Sequence, residues 1–117
     1  MKHGMLMRDG RCLVARAGGA FGWWSRLRGL LFRAPLAPDG SEALVIRPCN
    51  SVHTCGMGYA LDLVFVDRAG DVVAVREGLR PWRACGRRGA HAVIEFHHGA
   101  IGRLGIAPGD RLEWRAA

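Results

Sequence analysis

The chain holds 117 residues, half of them apolar, with a mean hydropathy near zero. That is one domain, 1 to 117, large enough to bury a core without disulfide or metal staples, and no apolar run nears the roughly 20 residues of a membrane-spanning helix. The formal charge of +7 comes from 17 basic and 10 acidic residues, and Lys2 is the only lysine. Polyanion binding through an Arg-rich surface is therefore an option, but a chain rich in Ala, Gly and Arg reads equally as GC-rich coding bias, and nucleic acid is not the favoured partner.

Met1 to Asp9 lacks the apolar stretch of a signal peptide, so the expectation is a cytoplasmic protein with reduced thiols. Cys12, Cys49, Cys55 and Cys85 are too few and too irregularly spaced for a disulfide framework. Cys12 sits in an apolar strand pattern and is expected in the core.

In chain order, residues 5–8 and 11–15 predict a hairpin about Asp9-Gly10, a pair that tolerates positive φ at both turn positions. Gly18-Gly19 is expected to end the second strand. Trp23, Leu27, Leu30 and Leu31 recur at helical spacing, so residues 23 to 33 predict a short helix that must stop before Pro35. Residues 43–46 predict a buried strand, and Pro48 to Tyr59 a loop. Residues 61–67 and 71–76 predict a second hairpin around Arg68-Ala69-Gly70. Residues 79–89 form a basic segment, 90–96 another strand, and 98–104 a turn or two of helix. Pro108-Gly109-Asp110 turns into a final strand, 111–114. Many short strands with one or two short helices predict a mainly-β fold, or α+β with a minor helix: a sandwich or barrel.

Residues 47 to 62 concentrate the chemistry. Cys49, His53 and Cys55 are soft or borderline donors that suit zinc, and Cys49-x₃-His53-x₃-Met57 has the form of a copper loop, with His3 the only upstream imidazole. Paired Cys-x₂-Cys spacing is lacking. Cys49 with His53, oriented by Asp62 or Glu95, is the candidate nucleophile set. The reading that accounts for most residues is a structural polar loop. In it Asn50, Ser51 and Thr54 bind nearby backbone, His53 donates to a carbonyl or to Asp62, and Asp62 meets solvent, a cation or backbone N–H groups, since an unpaired buried carboxylate is costly. Asn50, His53, Thr54, Asp62, Arg80, Trp82 and Arg83 form the candidate ligand-binding set, in which a Trp face and Arg forks suit an anionic or carbohydrate-like ligand.

Several motifs in one order resemble the family of domain of unknown function 192. Arg28-Gly29-Leu30-Leu31 is similar to its Arg-Gly-Leu-Met helix signature. Residues 48–57 are similar to its Cys-Asn-Ser-Val-His-Thr-Phe-Gly-Met branch, and residues 61–67 to its Ile-Asp-Val-Val-Phe-Leu-Asp strand. Gly105-Ile106 and Gly109-Asp110 match its closing pairs. The resemblance spans about 11 to 114 and implies a single-domain jelly-roll-like β-sandwich with no known reaction. Cys55 stands where the family pattern has Phe, and His97-His98 where it has Pro-Ala, which marks that pair as idiosyncratic. The expected function is a non-enzymatic accessory module that binds a small ligand or a protein partner, with no cofactor. The alternatives are a thiol- or metal-dependent enzyme using Cys49 and His53, and polyanion binding.

Overall fold

The computed structural model describes residues 1–22 and 35–117. The helix expected over 23 to 33 lies outside them. The described residues form ten strands and one short helix. Strands β1 (Gly4–Arg8) and β2 (Arg11–Val14) make the expected hairpin, with Asp9 at φ 53° and Gly10 at φ 75°. β10 (Leu112–Ala116) pairs antiparallel with β1 on its other side, giving a three-stranded sheet in the order β10-β1-β2.

The second sheet has five strands. β3 (Arg16–Ala20), β4 (Glu42–Ile46), β6 (Leu61–Val66), β7 (Val72–Leu79) and β9 (Ala92–His97) are ordered β3-β4-β9-β6-β7. Gly18-Gly19 does not end a strand: both lie inside β3, which runs parallel to β4. The glycines serve close approach there. A β-carbon on Gly18 would lie 2.5 Å from the Met1 sulfur.

The two sheets face each other across Leu6, Val14, Val45, Val64, Val66, Ile94, Phe96 and Leu112. The opposite face of the five-stranded sheet carries Leu44, Ile46, Leu61, Leu63, Phe65, Leu79 and Val93. It is covered by Leu36 and by the segment that carries β5 (Ser51–His53), which pairs with β8 (Ala84–Gly86) as a separate two-stranded ribbon. Burial on both faces explains why β6 and β9 read as near-continuous apolar runs rather than alternating ones. The helix α1 (Ala100–Leu104) packs its Ala100 and Ile101 into the first core. Among the described residues the sheets do not close into a barrel. Isolated bridges, Lys2 with Gly19 and Asp71 with Arg111, tie them together at two places.

Cys12 is exposed rather than in the core. It lies near the hairpin end of an edge strand, and the pairing of β1 with β2 shifts register between Leu6 and Met7, so only Val14 is brought opposite Leu6 and buried.

The second hairpin depends on Gly70. Its φ is 90°, its N–H donates to the Asp67 carbonyl, and its carbonyl accepts from the Leu112 N–H, joining the β6–β7 turn to β10. A β-carbon at Gly70 would collide with the Leu112 carbonyl oxygen. Gly70→Ala should therefore destabilise the protein by more than about 1 kcal/mol. Urea denaturation measures this, and an unchanged midpoint would refute the account.

Candidate functional site

Two polar anchors organise the segment that the sequence singles out, and they lie on opposite faces of the five-stranded sheet. Asp62 is fully buried and shares the face of Val64 and Val66. Its Oδ1 accepts from the Gly78 N–H at 2.9 Å and lies 2.7 Å from His98 Nδ1. Its Oδ2 accepts from the N–H groups of Gly99 at 3.0 Å and Ile101 at 3.1 Å. Burial alone raises the carboxyl pKa, but the hydrogen bonds from His98, Gly78, Ile101 and Gly99 outweigh it, and the net shift is downward. Asp62 is thus a clamp for three chain segments. Its imidazole partner is His98, whereas His53 Nδ1 accepts from the Cys55 N–H at 3.3 Å. The pair His97-His98, marked as idiosyncratic, therefore contains the side chain that meets Asp62.

Thr54 is the second anchor and is also fully buried. Its hydroxyl donates to the Arg80 carbonyl at 2.6 Å and accepts from the Arg83 N–H at 2.9 Å. Its own N–H donates to the Arg83 carbonyl, and its carbonyl accepts from the N–H groups of Trp82 and Met57. The candidate loop and the basic segment are thereby locked together, with His53 opposite Ala84 in the ribbon. Asn50, His53, Arg80, Trp82 and Arg83 are all exposed around this lock. Asp62 does not join them.

Trp82 is unusual on two counts. It is 67% exposed, and its φ is 63°, a left-handed conformation that large side chains rarely adopt. The Thr54 bonds hold that backbone in place, so the indole stands on a braced turn.

The Cys49 thiol donates to the Ser51 carbonyl at 3.1 Å. Among the described residues no hydrogen bond joins Cys49 to His53, and no group of three His, Cys, Asp or Glu side chains is placed to hold a metal, so Cys49, His53 and Cys55 do not converge as ligands. None of the four cysteines is in a disulfide.

Glu95 is a residue whose environment the sequence does not disclose. It is 5% exposed and lies in β9 between Leu44 of β4 and Leu63 of β6. Without a hydrogen-bond or ion-pair partner among the described residues, burial pushes its carboxyl up to about 7. Tyr59 lies near. Burial raises its phenol, a bond from the Leu36 N–H opposes this, and negative charge at Glu95 and Glu42 adds to the rise. Tyr59 also stacks on His97, with ring centroids 4.9 Å apart. A carboxyl titrating near neutrality suits acid–base chemistry, but among the described residues no nucleophile is hydrogen-bonded to it. The signal in the sequence was one carboxylate inside an otherwise apolar strand, Ala92 to Phe96.

The arrangement defines a small mainly-β protein whose buried polar groups organise irregular segments and whose exposed loop residues surround a braced tryptophan. The chain belongs to the DUF192 family, described as Uncharacterized ACR, whose model matches residues 5–114. It is 32% identical over 112 residues to a UPF0127 protein of Thermococcus sibiricus, covering 90% of this chain and 70% of that one. It is 35% identical over 96 residues to a UPF0127 protein of Pyrococcus furiosus, covering 76% and 78%. A solved structure of a protein of unknown function from Novosphingobium aromaticivorans superposes with a TM-score of 0.79 at 25% identity, covering 96% of this chain and 84% of that one. A putative transcription regulator from Sinorhizobium meliloti gives 0.79 at 24% identity, covering 97% and 92%, and shares the fold. No helix among the described residues is long and apolar enough to cross a membrane.

Two predictions follow from the carboxylates. Asp62→Asn turns an amide N–H₂ toward at least one N–H donor and should cost about 2–4 kcal/mol, while His98→Ala, removing a half-exposed imidazole, should cost about 1 kcal/mol. Equal losses in urea denaturation would contradict the clamp. For Glu95 the folded pKa of about 7 lies above the ordinary 4.5, so the folded state holds a proton that the unfolded chain releases between those values. Stability should fall as pH rises through that window, by about 3 kcal/mol in all, and level off above it. Glu95→Gln should flatten that decline; superimposable pH profiles for the two proteins would disprove it.

Proposed function

We propose that the protein is a non-enzymatic binding module of jelly-roll-like build, with the parallel β3–β4 pair as a departure from that pattern. Four cysteines outside any disulfide suit a reducing compartment, so the cytoplasm is its proposed location. The contact surface is the tip carrying Trp82, Arg80 and Arg83, with His53 beside them, and the partner is an acidic segment of another protein. The observation that carries this reading is Trp82 itself. A left-handed tryptophan costs on the order of 1–3 kcal/mol of backbone strain, and its exposed ring regains little of that through internal packing. Trp and Arg are the side chains that most often dominate binding energy at protein interfaces. Thr54 supplies the rigidity, since its bonds fix the turn before any partner arrives and lower the ordering cost of association.

The test is titration with a Glu-rich peptide, with a Lys-rich peptide and a single-stranded oligonucleotide for comparison. Trp82→Gly removes the ring and relieves the strain. It should leave the protein at least as stable while weakening the Glu-rich peptide about tenfold, which is about 1.4 kcal/mol. Undiminished binding by the variant would remove Trp82 from the surface. Equal binding of the oligonucleotide would reduce the surface to unspecific charge.

A further inference from the structure

The ribbon of β5 and β8 has only two strands, so each strand has one open edge. In an antiparallel pair, residues whose N–H and C=O bond across to the partner alternate with residues whose groups point away from it. Two bonds fix the alternation here. The Thr54 N–H donates to the Arg83 carbonyl, and the Arg87 N–H donates to the Asn50 carbonyl. Val52 and Cys85 stand opposite each other midway between those pairs, so positions 83, 85 and 87 direct their backbone groups at β5. Ala84 and Gly86 therefore direct theirs outward. Among the described residues, none of those outward groups has a hydrogen-bond partner.

This edge is also unscreened. Ala84 and Gly86 are exposed, while Val52 and Cys85 turn toward the core on the outer face of the five-stranded sheet. Gly86 faces Ser51 so closely that a β-carbon on it would lie 3.0 Å from the Ser51 β-carbon. The two outward-bonding positions thus carry only a methyl group and a hydrogen. The edge of β5 differs, since its Ser51 carbonyl already accepts from the Cys49 thiol.

Both ends of the β8 edge are basic. Arg83 precedes the strand, Arg87 and Arg88 follow it, and Trp82 stands one residue before Arg83. Among the described residues, none of these three arginines has a carboxylate within ion-pair distance. Charge at an open edge repels strands of the same sign. A second copy of this chain, edge to edge, would bring arginine against arginine. An acidic strand would meet donors at both ends.

We propose that the acidic partner binds as an extended strand along β8, its backbone paired with Ala84 and Gly86 and its carboxylates on Arg83 and Arg87. Those arginines are four positions apart, about 13 Å of extended chain, so the partner's acidic residues recur at the same interval. Main-chain bonds hold an added strand, and its side chains supply the selection. The proposal rests on the reading of the Trp82 tip as a surface for an acidic segment and adds how that segment's backbone is held.

The test is an NMR titration of the intact chain with the acetylated, amidated peptide Glu-Thr-Val-Thr-Glu. In the proposed register both threonine N–H groups face β8 and the valine N–H faces solvent. Saturable binding should move the Ala84 and Gly86 amides and slow their hydrogen exchange, while the Cys85 amide, directed at β5, changes little. N-methylation of both threonines should weaken binding about tenfold, whereas N-methylation of the valine should leave it unchanged. Replacing both glutamates by glutamine should also weaken it. Ala84→Pro removes one outward donor and should reduce affinity in the same direction; should that variant fail to fold, the methylated peptides decide. Equal affinities of the two methylated peptides, or unmoved Ala84 and Gly86 amides at saturation, would overturn strand pairing. The tip reading survives that result if Trp82→Gly still weakens the unmethylated peptide. No binding of any Glu-rich peptide would overturn both.

Discussion

Much of the irregular structure depends on one carboxylate. Asp62 lies inside an apolar strand, where an ion without partners would be among the most expensive groups in the chain. It remains because its two oxygens meet donors from the end of β7, from the turn after β9 and from the first turn of α1. The consequence for α1 is direct. Five residues cannot sustain a helix alone, and its N-cap, Gly99, supplies no side-chain cap. Asp62 accepts from the N–H of Ile101 in its place, doing from a distant strand what a local Asp or Ser would do. The same atoms hold Gly78 at φ 65°, where a β-carbon would sit 3.2 Å from the His98 ring.

Thr54 repeats the device on the other face with a neutral group. The segments 47–60 and 80–91 have little regular pairing beyond the short β5–β8 ribbon to absorb their backbone polar groups, and buried N–H and C=O groups need partners. One hydroxyl and one peptide unit of Thr54 join the two segments over Arg80, Trp82 and Arg83. Asp62 and Thr54 share a short stretch of sequence, yet they organise different parts of the molecule. The chemistry that looks concentrated along the chain is divided by the sheet in space.

The hairpins, the turn at Asp9-Gly10, the buried central strands and the small helix could be read from apolar runs, glycine and proline, because those signals are local. Gly18-Gly19 misled because glycine marks both a strand end and a strand packed too closely for a β-carbon. Only the tertiary neighbour, here Met1, distinguishes the two. Cys12 misled for a related reason: a strand's outer end can extend past the core it is patterned to cover. Within the candidate site, the need of Asp62 for donors was legible from its apolar surroundings. The identity of those donors was not, since His98 lies 36 residues away and its imidazole carries no mark of its destination. The guanidinium of Arg47 lies over the rings of Phe21 and Trp114, joining β4, β10 and the end of β3 in an encounter that no local pattern encodes.

Asp62 and Glu95 show how finely the strands divide electrostatic tasks. Asp62 is opposite Phe96, and Glu95 is opposite Leu63, so the two carboxyls lie one residue apart along the β6–β9 ladder. Alternation sends them to opposite faces. On one side four donors favour the charged form; on the other, apolar neighbours favour the neutral one. The depressed Asp62 pKa contributes stability that is lost as acid protonates it, and the raised Glu95 pKa contributes stability that is lost as base ionises Glu95. The two demands are compatible only between those limits, where one carboxyl is charged and its neighbour protonated. Neither group has a side chain left over for a partner. The recognition proposed for this chain therefore rests on a residue whose backbone serves the fold while its side chain does not, as with the exposed ring of Trp82.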